Sequence, residues 1–130
     1  MLKRFALFFT LSLSISCSNE SVIDYYKKNL SLEVKGKVIK VDFYKGGSST
    51  LKVRNSDGNL IDVSGGSNFQ HYIRPGDDFT KIGNSNKCIV ERNDSIIYLD
   101  CSNIEKIYRD SLGEIAEWPK SIKGKWKIKN

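Results

Sequence analysis

The sequence predicts an all-β domain, a small antiparallel β-barrel with one short helical turn, placed after an N-terminal signal peptide. Three observations carry this prediction. From Leu32 to Phe43, β-branched and aromatic residues alternate with polar ones, the period-two pattern of a half-buried strand. The stretches "TLKVRNSDGNLIDVSGG" and "CIVERNDSIIYLDC" each hold two such runs around a compact polar turn. Gly, Asp and Asn recur between short apolar runs, and hairpins this short bury an apolar face by packing the sheet on itself.

The segment ahead of the domain has another character. Lys3 and Arg4 precede an apolar run from Phe5 to Ile15, the layout of a secretory leader. The run is shorter than the ~17–25 residues that span a bilayer. Ser12, Ser14 and Ser16 interrupt it without leaving an amphipathic face. The leader ends in "LSISC", which resembles the lipobox of bacterial lipoprotein precursors. Ser16 is the small residue before Cys17, Ile15 is acceptable before it, and Ser14 stands where Leu is usual. The resemblance implies that residues 1–16 are removed and that Cys17 is diacylated, which gives durable membrane attachment. Ser18, where an Asp often retains such proteins at the inner membrane, implies the outer membrane of the cell envelope. Loss of the leader takes Lys3 and Arg4 with it and lowers the formal charge from +6 to +4, a modest excess for a soluble surface.

Residues 17–31 read as a tether with a possible short helix. Val22, Ile23, Tyr26 and Leu30 recur at helical spacing, with Ser21 as a cap and Asp24 in the first turn; an extended linker competes. Residues 32–130 form the barrel domain with a C-terminal extension. Gly36 marks a bulge or bend in the long first strand. Leu51 with Val53, and Ile61 with Val63, share faces across a turn at Asp57 and Gly58. Phe69, Tyr72 and Ile73 predict the helical turn, with Ser67 or Asn68 as cap and Pro75–Gly76 as its stop. A short strand "FTKI" follows, then the second hairpin. At 103–118 a third hairpin competes with an amphipathic helix, and Gly113 favours the hairpin.

The order of long strand, hairpin, helical turn and hairpin resembles an oligonucleotide/oligosaccharide-binding fold, with an SH3-like barrel as the alternative. Residues 32–102, above all "YIRPGDDFTK", resemble small uncharacterised lipoproteins of the Bacteroidetes type. That resemblance implies no particular activity.

Few residues point to chemistry. His71 is the single histidine and no second one completes a His–His metal site; no nucleophile elbow or phosphate-cradling glycine loop occurs. Asp77 and Asp78 lack the D-x-D-x-D spacing of a calcium loop and read as turn residues. The expectation is a non-enzyme with no cofactor and no metal. Cys88 and Cys101 remain an even pair in an oxidising compartment. With Asp94 and Ser95 at the turn centre, Cys88 falls opposite Cys101, and two buried thiols are the alternative to a disulfide. The tail "WPKSIKGKWKIKN" interleaves Lys120, Lys123, Lys125, Lys127 and Lys129 with Trp126. It reads either as an anionic-surface site or as an edge strand that buries Trp126 and Ile128 and points lysines outward. "DSI" and "DSL" resemble the Bacteroidetes O-glycosylation acceptor, with Ser95 and Ser111 as the acceptors.

The expected role is non-catalytic binding or scaffolding at the envelope, with an envelope protein or anionic lipid as partner and no nucleic acid. The alternatives are an inhibitor or immunity-type protein with one cognate partner, and a small envelope hydrolase using His71.

Overall fold

The computed structural model describes residues 17–104, 108, 112 and 124–129. Helix α1 (Cys17–Ser31) leads into strands β1 (Val34–Phe43), β2 (Ser49–Arg54) and β3 (Leu60–Gly65). A short helix α2 (Ser67–Tyr72) is followed by β4 (Asp78–Lys81), β5 (Lys87–Arg92), β6 (Ser95–Asp100) and the two-residue β7 (Lys127–Ile128). The strands form one antiparallel sheet in the order β3-β2-β1-β4-β5-β6-β7.

Strand β1 is long enough to serve two partners: Val34 to Lys37 pair with β4, and Lys37 to Phe43 pair with β2. The register shifts between Val38 and Lys40, so the bulge falls at Ile39 and not at Gly36, and it bends the strand. Gly36 meets a different demand. A Cβ there would overlap the Arg54 carbonyl, so glycine is what lets the end of β2 lie against β1.

Alternation sorts the two faces. Leu51 lies opposite Val63 and Val53 opposite Ile61; with Val34, Val38, Phe79, Val90, Ile97 and Leu99 they form the buried face. Helix α2 adds Phe69, fully buried and edge-on to Phe79 at 5.8 Å between centroids. Gly66 occupies the N-cap position of α2 with no side-chain bond, so neither Ser67 nor Asn68 caps it. The Ile73 N–H donates to the Phe69 carbonyl at 3.0 Å, and Pro75–Gly76 follow.

The sheet curls until the end of β3 approaches the end of β6. The Gly66 N–H donates to the Cys101 carbonyl at 2.9 Å, and Asn68 Nδ2 to the Asp100 carbonyl at 3.3 Å. Among the described residues no ladder joins β3 to β6, so strand pairing defines an open sheet with β3 and β7 as edges. The class is all-β.

In α1, Val22, Ile23, Tyr26 and Leu30 are half-buried while Asp24, Tyr25, Lys27 and Lys28 are exposed. The helix begins at Cys17, so Ser21 lies inside it and is not its cap. At 103–118 the hairpin is not found where the chain is described: Tyr108 and Leu112 are helical. Ile104, Tyr108 and Leu112 recur every four residues. Ile104 is buried, and Tyr108 packs on Tyr26 at 5.7 Å. The rest of that stretch lies outside the described residues.

Candidate functional site

Where β1 passes from β2 to β4, the solvent-facing side of the sheet holds an open groove of about 470 Å³. Register explains its composition. Lys37 lies opposite Arg54 on one side and Asp78 on the other, and Asp78 lies opposite Glu91. Lys35, two residues along, lies opposite Thr80. All line the groove, together with Asn55 and Ser56 from the β2–β3 turn. That turn is held by the Asn55 Oδ1, which accepts the N–H groups of Asp57 (3.0 Å) and Asn59 (2.9 Å). Positive φ falls on Gly58 and not on Asp57.

The charges of the groove divide unevenly. Lys37 Nζ meets Asp78 Oδ1 at 3.2 Å and donates to the Gly76 carbonyl at 3.4 Å. Glu91 is ion-paired with Lys129, the residue after β7, and the hydrogen bond to Glu91 raises the Lys129 pKa. Both carboxylates thus have cations. Lys35 and Arg54 have no counter-ion among the described residues. Like charges directly opposite across a ladder cost stability, and Arg54 opposite Lys37 is such a pair.

On the inner face β4 carries an unexpected group. Lys81 is 3% exposed, and its ammonium donates to the carbonyls of Leu30 (2.9 Å), Ile82 (3.0 Å) and Ser85 (2.8 Å). Three donors meet three acceptors. Burial lowers its pKa to about 8. The Ser85 N–H also donates to the Leu30 carbonyl at 3.1 Å, so the C-terminal end of α1 is tied to the β4–β5 turn. The signal was present in "FTKI", where alternation puts Lys81 on the face of Phe79.

Asp77 and Asp78 also part ways. Asp77 is buried and accepts the Arg74 N–H within its own turn (2.8 Å) together with a two-pronged bond from Arg92 (2.8 Å to each oxygen). Arg92 further donates to the Tyr72 carbonyl at 3.1 Å and lies 4.5 Å from the centre of the Trp126 ring. The hydrogen bond to Asp77 raises the Arg92 pKa. This network joins α2, the β4 turn, β5 and the C-terminal strand. Among the described residues no cluster of His, Cys, Asp and Glu is suited to a metal ion.

Cys17 is the first residue of α1. Cys88 and Cys101 form a disulfide with Cα atoms 5.5 Å apart. The hairpin turn centres on Asn93 and Asp94, with Arg92 opposite Ser95, so Leu99 and not Cys101 lies opposite Cys88. The two-residue shift keeps Cys101 on the same face, one diagonal step from Cys88, within bonding range. Ser95 is therefore half-buried in β6, opposite Ile128 of β7, and not in an exposed turn. His71 is exposed on α2, edge-on to Tyr72 at 4.5 Å between centroids; among the described residues it has no hydrogen bond or ion pair.

In the tail, Trp126 is half-buried, Lys125 and Lys127 are exposed, and Ile128 is 72% exposed and not buried. Lys120, Lys123 and Ser111, like residues 1–16 where a leader is expected, lie outside the described residues. No helix among the described residues is long and apolar enough to cross a membrane. The chain matches no protein-family model, no curated protein and no solved structure.

Proposed function

We propose that the protein is a lipid-anchored envelope protein of bacterial type, held at the outer membrane through Cys17, whose β domain binds a ligand or partner without catalysis. The observation that carries this reading is the buried Cys88–Cys101 disulfide, which suits an exported protein better than a cytosolic one and agrees with the leader and "LSISC". The 15 residues of α1 amount to a spacer of about 22 Å between the acylated cysteine and the domain. The Lys81 bonds tie the C-terminal end of that spacer to the sheet. The curled sheet fits a barrel of the oligonucleotide/oligosaccharide-binding kind, because β1 joins both β2 and β4 and a helix separates β3 from β4. The groove with its two surplus cations is the binding surface.

The test of the anchor is palmitate labelling of wild type against Cys17→Ala, with signal peptidase II inhibited in a parallel culture. The reading expects label that depends on Cys17 and a precursor that accumulates under the inhibitor. An unlabelled chain retained in the cytoplasm, with Cys88 and Cys101 open to alkylation, would overturn it.

A further inference from the structure

We infer that the groove between β1, β2 and β4 is a phosphate site, with Lys35 and Arg54 holding the phosphate of a phosphate-bearing ligand. The inference deepens the binding role proposed above and rests on it, but not on the acylation of Cys17. Three features support it. First, these two cations line a groove of about 470 Å³ and have no counter-ion among the described residues, whereas Lys37, Asp78 and Glu91 of the same groove are matched within the protein. Second, the site is built on rigid parts. Arg54 ends β2 where the Asn55 side chain locks the following turn, and the absent Cβ of Gly36 lets that end press against β1. Third, the donor set suits a tetrahedral oxyanion: a guanidinium fork, an ammonium, and the hydroxyls of Ser56 and Thr80 line one space. A carboxylate offers two oxygens in one plane and leaves part of that set unused.

The experiment uses the full chain in dodecyl maltoside, with its acyl mass read from the same preparation so that failure of the anchor and failure of the groove are seen separately. Two-dimensional NMR follows titration with inorganic phosphate, with acetate at matched ionic strength, and with micelles doped with dioleoylphosphatidylglycerol or dioleoylphosphatidylcholine. Saturable shifts at residues 35–37, 54–56 and 80 are expected with phosphate, and about tenfold weaker affinity in Lys35→Gln/Arg54→Gln. Arg54→Lys, which keeps the charge and loses the fork, should fall between the two. A response to free phosphate assigns a soluble phosphate ester. A response confined to phosphatidylglycerol micelles assigns a lipid headgroup, and either supports the site. No saturable shift with any phosphate probe, an equal response to acetate, or unchanged affinity in a double variant whose remaining spectrum is native would overturn it.

Discussion

Replacement of Lys81 by Met tests how the helix is fixed to the sheet. Methionine fills a similar volume but removes the ammonium that serves the Leu30, Ile82 and Ser85 carbonyls. Leu30 keeps the Ser85 N–H, so two buried carbonyls lose their charged donor, at about 1–3 kcal/mol each. Against this, the variant no longer holds a charged amine out of water. The net expectation at pH 7 is a loss of about 2–4 kcal/mol, with faster amide exchange along the last turns of α1. The pH dependence is the sharper readout. The Lys81 pKa falls from 10.5 to about 8 on folding, so between those values the unfolded chain binds more protons than the folded one, and wild-type stability rises with pH. The full rise is about 3 kcal/mol, absent below pH 8 and complete above pH 10.5, and the variant lacks it. Urea unfolding from pH 7 to 10, read by tryptophan fluorescence, should show the gap between wild type and variant widening with pH. A constant gap, or a variant as stable as wild type at pH 7, would refute the argument.

Three further outcomes follow from the same geometry. Cys88→Ser/Cys101→Ser removes a crosslink across a sequence separation of 13; a loop near that size is worth about 3 kcal/mol, measurable as a lower urea midpoint that reductant no longer shifts. Ser49 buries an Oγ with no partner among the described residues, so Ser49→Ala should leave stability unchanged or raise it by about 1 kcal/mol, and a clear drop in Tm would contradict that. Gly36→Ala places a Cβ against the Arg54 carbonyl and should cost about 1–3 kcal/mol, with NMR shifts concentrated at the β1–β2 junction rather than in β5 and β6.

The C-terminal end of α1 is fixed to the sheet by a residue whose role is invisible in composition. Lys81 is one of 21 basic residues, and among the described residues it is the buried lysine. Its side chain supplies donors that the Ile82 and Ser85 carbonyls would otherwise lack, and adds a second donor to the Leu30 carbonyl at the end of α1.

Strand alternation was legible over β1, β2, β3 and both arms of the β5–β6 hairpin, because side-chain period is a local property and burial on one face selects for it. The helical turn at Phe69 and the helical stripe of α1 were legible for the same reason. The turn of the β5–β6 hairpin was misplaced: "RNDSI" allows more than one pair of central residues that keep the same faces, and the structure puts Asn93, at positive φ, and Asp94 at the centre. The helix at Tyr108 was misjudged because Gly113 weighs on local propensity, whereas the packing of Ile104 and of Tyr108 on Tyr26 is a long-range contact. Of the groove, neither Lys35 nor Arg54 stood out, since each is an ordinary polar position on an alternating strand.

The all-β class and the inward and outward faces of most strands belong to the sequence by itself, since each rests on residue order within a short window. Tertiary structure alone decided that Arg54 stands opposite Lys37, that Cys101 reaches Cys88 diagonally, that Asp77 holds Arg92 beneath Trp126, and that Lys81 caps α1. Those relations depend on register and curl, and a strand's partner is set by how the whole sheet buries its apolar face.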